Sequence, residues 1–351
     1  MMNIFTKVFT DPNFLGAFLQ TVIIIILGFF MMREGIVNQA GKKTISAIIW
    51  KVSVPCFAFN AFMQDFEWTT FKASIFEFFL AIFYYILFIV IGKFLFIKKG
   101  RKLSTVSALF MAIGQTTLFS MPILQSVYQG QEGEAQVMLY ISTISIVFRI
   151  FVYIIGLSII SGKKITAENF GSAMKKVFVT PVMIGMGLGI LVFLIQNITP
   201  QYVVDGHSYS VFRLDKTVPI LYKTVRGLAA LLSPLSMFMI GMSIGQAKLA
   251  ESFSDAFSWI IALLRNIFCP ILTALLCLVI HKTGIYQFNE YSLMAILIGV
   301  SAPVSVTLSL ACVEHHCEET IASRSCVIST ILTIMTFPAC FVLGHIILQF
   351  L

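Results

Sequence analysis

The sequence predicts an all-α polytopic membrane protein: ten transmembrane helices in two inverted five-helix repeats, with helices 4 and 9 broken. Three observations carry this. Of 351 residues, 58% are hydrophobic and only 11% are charged, against about 25% charged in soluble domains. Apolar runs of about 20 residues recur from end to end, each long enough to cross a hydrocarbon core about 30 Å thick. Prolines also fall at matching places: Pro55 is followed 67 residues later by Pro122, and Pro234 is followed 69 residues later by Pro303.

In chain order, span 1 (14–31) is long and ends in "MMREG" rather than in a small-residue cleavage site, so it reads as a span and not as a signal peptide. Span 2 (44–64) carries Lys51, Pro55 and Asn60. Span 3 (73–92) holds Glu77, expected toward its outer end. Span 4 (104–128) contains "GQTTLFSMP", and span 5 (135–161) contains Arg149 and "ISTISIV". Span 6 (177–196) leads into 197–225, a longer polar connection rich in turn residues. Span 7 (226–246) carries Pro234, and span 8 (256–280) carries Arg265 beside Asn266. Span 9 (291–313) contains "GVSAPVSVTLS", and span 10 (320–350) contains "ISTILTI". The shared strings of spans 5 and 10 agree with the proline spacing. Five spans is an odd number, so a second copy enters from the opposite side. The halves are 1–176 and 177–351, the construction of many secondary transporters.

The formal charge of +8 does not point to nucleic acid, because the bases cluster in short loops. With the N-terminus outside, fourteen Lys and Arg fall on inner loops, seven on the outer side, and three within spans. The positive-inside rule then places both termini outside, and a cell (plasma) membrane is expected. Six of the seven cysteines lie in or at the ends of apolar segments, where a thiol behaves as a small hydrophobe. "CVEHHCEET", with Cys312, His315, His316 and Cys317, fits no standard zinc spacing and reads as a polar inner turn. Neither a metal nor a cofactor is called for, and no P-loop is present.

Proline removes a backbone hydrogen bond and crowds the preceding turn. In hydrocarbon such a break survives only where neighbouring helices, hydroxyls or a water-lined cavity satisfy the backbone. Gln115, Thr116, Thr117 and Ser120 surround Pro122; Ser301 and Ser305 surround Pro303. Two broken spans in matching positions point to a substrate site near the midplane, with half-helix amino ends suited to an anion. Lys51 is expected to reach the inner surface by its long stem. Arg149 and Arg265 lie deeper, and a buried Arg without a partner is costly. No Asp or Glu reaches the deep part of a span, so the missing negative charge is read as the substrate's. A carboxylate matches a guanidinium fork.

"ILGFFMMREGIVNQAGKKTISAIIWKVSVPCFAF" (26–59), "LSPLSMFMIGMSIG" (232–245), "LLRNIFCPIL" (263–272) and "SAPVSVTLSLACVEHHCEETIASRSCVISTILTIMTFP" (301–338) resemble the auxin efflux carrier family, which includes bacterial organic-acid and malate permeases. The resemblance covers nearly the whole chain. It implies that spans 4 and 9 cross near the substrate site, that a mobile part works like an elevator against a scaffold, and that two copies pair through the scaffold. It also implies carboxylate substrates. Where the family usually has an Asn–Thr pair before the span-4 proline, this chain has Gln115–Thr116, so substrate size or identity differs.

The expected function is secondary transport of small organic anions, malate-like carboxylates first. Gln115, Thr116, Thr117, Ser120, Pro122, Ser301, Pro303, Ser305, Arg149, Arg265 and Asn60 are the candidate substrate-binding residues. The partners are the anion, the lipid bilayer and a second copy of the chain. Proton coupling has no located carrier, since no deep carboxylate is in view. Sodium symport and a carboxylate-binding sensor that moves nothing stand as alternatives. An intramembrane enzyme finds no HExxH, serine elbow or aspartate pair.

Overall fold

The computed structural model describes residues 10–162, 171, 174–175, 177–204 and 206–351. The proposed boundary at 176–177 and the loop bases Lys7, Lys163, Lys164 and Lys176 touch or lie outside those residues.

The helices start where the chain supplies a cap. Asp11 accepts from the Asn13 N–H at the head of α1 (Pro12–Arg33), with proline in the first turn. Asn38 does the same for α2 (Gln39–Ile48). A short ladder of residues 49–53 joins α2 to α3 (Val54–Asn60). Then follow α4 (Trp68–Leu95), α5 (Arg101–Ala112), α6 (Met121–Tyr128), α7 (Glu134–Ile150) and α8 (Leu157–Ile160). Thr180 caps α9 (Pro181–Ile195). The remainder comprises α10 (Leu214–Thr217), α11 (Pro219–Ala230), α12 (Leu232–Gln246), α13 (Leu249–Phe253), α14 (Ala256–Leu263), α15 (Cys269–Lys282), α16 (Glu290–Val300), α17 (Val306–Glu314) and α18 (Glu319–Leu348). Asp255 and Asn289 cap α14 and α16. Satisfying the first N–H groups this way is worth about 1 kcal/mol per cap.

Among the described residues six helices, α7–α8, α11–α12 and α14–α15 each counted as one, are long and apolar enough to cross a membrane. The four other stretches read as spans hold shorter or interrupted helices. Large apolar side chains such as Ile23, Phe79, Leu188 and Leu275 stand exposed along them, as lipid-facing residues do. The chain is a multi-pass membrane protein.

Proline explains much of the irregularity. Pro55, Pro122 and Pro270 each stand two residues past a five-residue widened π-turn, at Ile49–Ser53, Thr116–Ser120 and Leu264–Phe268. The widened turn relieves the clash between the proline ring and the carbonyl four residues back. Pro338 is accommodated inside α18 without a break.

Small residues set the closest contacts. A Cβ on Gly28 would meet the Phe238 carbonyl at 2.3 Å, and one on Gly241 would meet that of Ile25 at 2.0 Å, which fixes α1 against α12. In the same way Gly185 lies against the Pro55 carbonyl, fixing α9 against α3.

The stretch 197–225, read as a polar connection, is more ordered than that. Gln201–Val204 (β1) and His207–Ser210 (β2) form an antiparallel hairpin, and α11 already begins at Pro219. Gly206 turns the hairpin at φ 80°. The β-branched and aromatic residues flanking "DG" were the overlooked signal. Arg213 ties the hairpin down, donating to Asp65 at 2.6 Å, to both Asp215 oxygens at 2.8 Å and to Gln196 at 3.1 Å.

Candidate functional site

Spans 4 and 9 are both broken, and they meet at their breaks. Helix α5 stops at Ala112 and the next turn starts at Thr116; α16 stops at Val300 and α17 starts at Val306. Between them Gly114 and Val304 form an isolated antiparallel bridge. The Gln115 N–H donates to the Pro303 carbonyl at 2.7 Å, and the Ser305 N–H donates to that of Ile113 at 3.2 Å. Each broken segment thus supplies hydrogen bonds that the other lost. The Val304 N–H donates to Ser329 Oγ at 3.0 Å, and Ser329 donates to Asn266 Oδ1 at 2.6 Å. Asn266 Nδ2 donates in turn to Thr333 and to the Ser329 carbonyl.

The break in span 4 begins at Ile113, nine residues before Pro122, so this proline heads α6 and does not interrupt it. Nor are all the amino ends open. The backbone N–H groups of Gln115, Val304 and Ser305 are spent at the crossing. The open donors are side chains: Gln115 Nε2, Thr117 Oγ1 and Arg265 Nη2 are buried with no hydrogen-bond partner among the described residues.

Arg265 closes the crossing from the side. Its Nε donates to the Ala302 carbonyl at 2.9 Å, and its Nη1 to those of Ala112 at 2.7 Å and Met111 at 3.2 Å. These carbonyls lie at the carboxyl ends of α5 and α16, where a cation is favoured. Gly114 is required there, because a Cβ would stand 1.9 Å from Nη2. The charge read as awaiting a substrate therefore spends most of its donors on carbonyls.

The other expected residues divide. Thr116 and Ser120 donate to the Gly299 and Ile298 carbonyls of α16 at 3.4 and 2.6 Å, and Ser305 donates to Gln115 Oε1 at 3.2 Å. Ser301 bonds back to its own helix at Ile298. Gln115 and Pro303 line a cavity of about 120 Å³ with Phe119, Ser243, Cys326 and Lys42. Of the expected residues only Gln115 and Pro303 line it; Thr116, Thr117, Ser120, Pro122, Ser301, Ser305, Arg149, Arg265 and Asn60 are not among its lining residues. Arg149 is buried with its guanidinium carbon 5.2 Å from the Trp50 ring centre, and Asn60 Oδ1 has no partner among the described residues. A larger groove of about 880 Å³ between α1, α15 and α18 is almost wholly apolar, which suits acyl chains better than a charged solute.

Lys42 escaped sequence reasoning, which counted it with Lys43 as one more inner-loop base. No local signal separates the two. In the fold Lys42 Nζ donates to Gln246 Oε1 at 3.0 Å at the rim of the cavity. Burial pushes its ammonium down from the usual lysine value, with Cys326 opposing.

Glu77, expected toward the outer end of its span, is 0% exposed, and neither carboxylate oxygen completes a hydrogen bond among the described residues. It lies ten residues past Glu67 at the head of α4, as Arg265 lies ten residues past Asp255 at the head of α14. The Cys/His turn comes apart as a ligand set: Cys312 and Cys317 are buried, whereas His315 and His316 point to the exterior.

A family model described as membrane transport protein matches residues 13–341. The chain belongs to that family. Membership covers both breaks, the cavity and Glu77, and it meets the resemblance to the auxin efflux carriers at the level of the family. A search of curated proteins found no match. At the crossing, one open donor, Gln115 Nε2, lines the cavity.

Proposed function

We propose that this membrane transport protein carries small organic anions, malate-like carboxylates first, across the cell membrane by elevator-type alternating access around the crossing of spans 4 and 9. In this reading ten spans form two inverted halves, 1–176 and 177–351, with both termini outside and two copies paired through the scaffold. Gln115 and Thr117 donate to the carboxylate, Arg265 Nη2 adds its remaining N–H, and Lys42 supplies charge at the rim.

The observation that carries the reading is Gln115 Nε2, a buried donor with no partner among the described residues, which lines the 120 Å³ cavity beside the crossing. A buried donor left without a partner costs about 1–3 kcal/mol, and a bound carboxylate removes that cost. The inverted arrangement draws support from packing. Span 1 lies on span 7 as span 2 lies on span 6, each through a glycine pressed on a carbonyl, which is the exchange a two-fold axis between halves produces.

The test is a thermal-shift screen of carboxylates on purified protein, repeated with Gln115→Ala, followed by uptake of labelled malate into vesicles with sodium or pH gradients imposed separately. Carboxylates should raise the wild-type midpoint and lose that effect in the variant. Stabilisation by cations or neutral sugars alone rules the anion out. Binding without any uptake makes the protein a sensor.

A further inference from the structure

Glu77 lies outside the set of groups that hold the anion, yet it is the most unusual side chain in the molecule. It sits nine residues into α4, roughly 14 Å along the helix, and no water-accessible surface remains on it. The groups facing it come from every neighbouring element: Tyr84 on α4, Tyr140 on α7, Cys277 on α15, Tyr286 in the turn before α16, and Ser292 on α16. No Lys or Arg pairs with it among the described residues. An ionised carboxylate buried without donors costs several kcal/mol, and a bound proton removes that cost.

The surroundings extend in two directions. Toward one end of α4, Tyr140 approaches Asn289, Thr70 and Glu67. Toward the crossing, Tyr84 interacts electrostatically with both Glu77 and Arg265, and Tyr85 approaches Thr116 and interacts with Arg265. The Tyr84 and Tyr85 hydroxyls and that of Ser292 are buried without completed hydrogen bonds. Polar groups with unspent donors and acceptors thus occur on both sides of Glu77, toward the head of α4 and toward Arg265.

We propose that Glu77 is the proton-binding site of this transporter, and that its protonation is coupled to occupancy of the crossing by an anion; this rests on the anion-transport reading above. A proton from water at the head of α4 bonds to a Glu77 oxygen and leaves from the same oxygen after the solute is released. With Glu77 ionised, its buried negative charge repels an incoming carboxylate. With Glu77 neutral, Arg265 Nη2 and Gln115 Nε2 are left to the anion. Anion and proton each favour the other's binding, by the reciprocity that any such coupling requires.

The experiment uses the full chain in proteoliposomes, comparing wild type with Glu77→Gln and Glu77→Asp. Without any solute, infrared difference spectra between about pH 5 and pH 9 should show a protonated-carboxyl band that titrates and is missing from Glu77→Gln. With labelled malate as the probe, an inward pH gradient should drive accumulation in wild type and fall at least about tenfold in Glu77→Gln. Malate–malate exchange, which needs no net proton movement, should persist in that variant. Glu77→Asp should recover part of the accumulation, which separates a lost proton site from a damaged fold. The proposal is overturned if the band is absent or indifferent to pH, if Glu77→Gln accumulates malate like wild type, if both variants lose exchange together with accumulation, or if a sodium gradient alone drives uptake. Wild type that moves no carboxylate at all defeats the transport reading and with it the coupling, while the infrared titration still reads the proton site by itself.

Discussion

Arg265 and Glu77 stand at matching depths of two helices, each ten residues past an acidic residue at the helix start, and they have opposite fates. Arg265 reaches three backbone carbonyls and holds the ends of two broken helices together. Glu77 faces the Ser292 hydroxyl without a completed hydrogen bond and has no cation paired with it among the described residues. A helix break exposes carbonyls at one side and N–H groups at the other. Here the N–H groups are consumed across the break by Pro303, Ile113 and Ser329, so the cation finds partners and the anion does not. A buried charge held by three carbonyls acts as a clasp, whereas a buried carboxylate with no cation beside it is free to change state.

The widest separation between the two should appear in stability. Arg265→Met leaves three buried carbonyls unsatisfied and should cost upwards of about 3 kcal/mol, whereas Glu77→Gln should stay within about 1 kcal/mol. Chemical denaturation in detergent measures both. Equal losses would mean that Glu77 has a partner after all, and the contrast would collapse.

Gly114→Ala sharpens the Arg265 side without touching its charge. The added methyl would sit 1.9 Å from Nη2 and 2.8 Å from the Ala302 carbonyl. A loss of about 2 kcal/mol is expected, and a neutral result would show that the guanidinium can move aside.

Lys42→Gln tests the rim of the site. Because the ammonium is the form that attracts an anion, wild-type affinity should be full below the lowered Lys42 value and decline as pH rises through it, before the ordinary lysine value of about 10.4 is reached. The variant should bind carboxylates several-fold more weakly and lose this alkaline limb, as titration of binding against pH would reveal.

The smallest effect belongs to the cap of α14. Partial burial pushes Asp255 up, but the Ser258 hydroxyl and backbone N–H outweigh it and hold the carboxyl below its usual range. Its stabilisation is therefore present at neutral pH and lost as pH falls through that lowered value. Asp255→Ala should cost about 1 kcal/mol at neutral pH and converge with wild type in acid.

Much of this was legible from local pattern. The caps at Asp11, Asn38, Thr180, Asp255 and Asn289 precede their helices directly, and the hydroxyl-rich stretches around Pro122 and Pro303 do hold broken spans. Gln115 lines the cavity at the crossing. What local pattern did not separate was Lys42 from Lys43, or the role of Arg265 from that of Arg149. Each pair is one residue type in similar surroundings, and only the residues brought alongside tell them apart.

Sequence alone determined that the chain is a multi-pass helical membrane protein with interrupted spans, because apolar length, scarcity of charge and the missing N–H of proline act within one segment. The tertiary structure alone decided that the two interruptions bond to each other, that Arg265 became their clasp and that Glu77 was sealed in without a donor. Those outcomes depend on groups nearly 40 to more than 200 residues apart meeting in space, and no short-range propensity encodes such meetings.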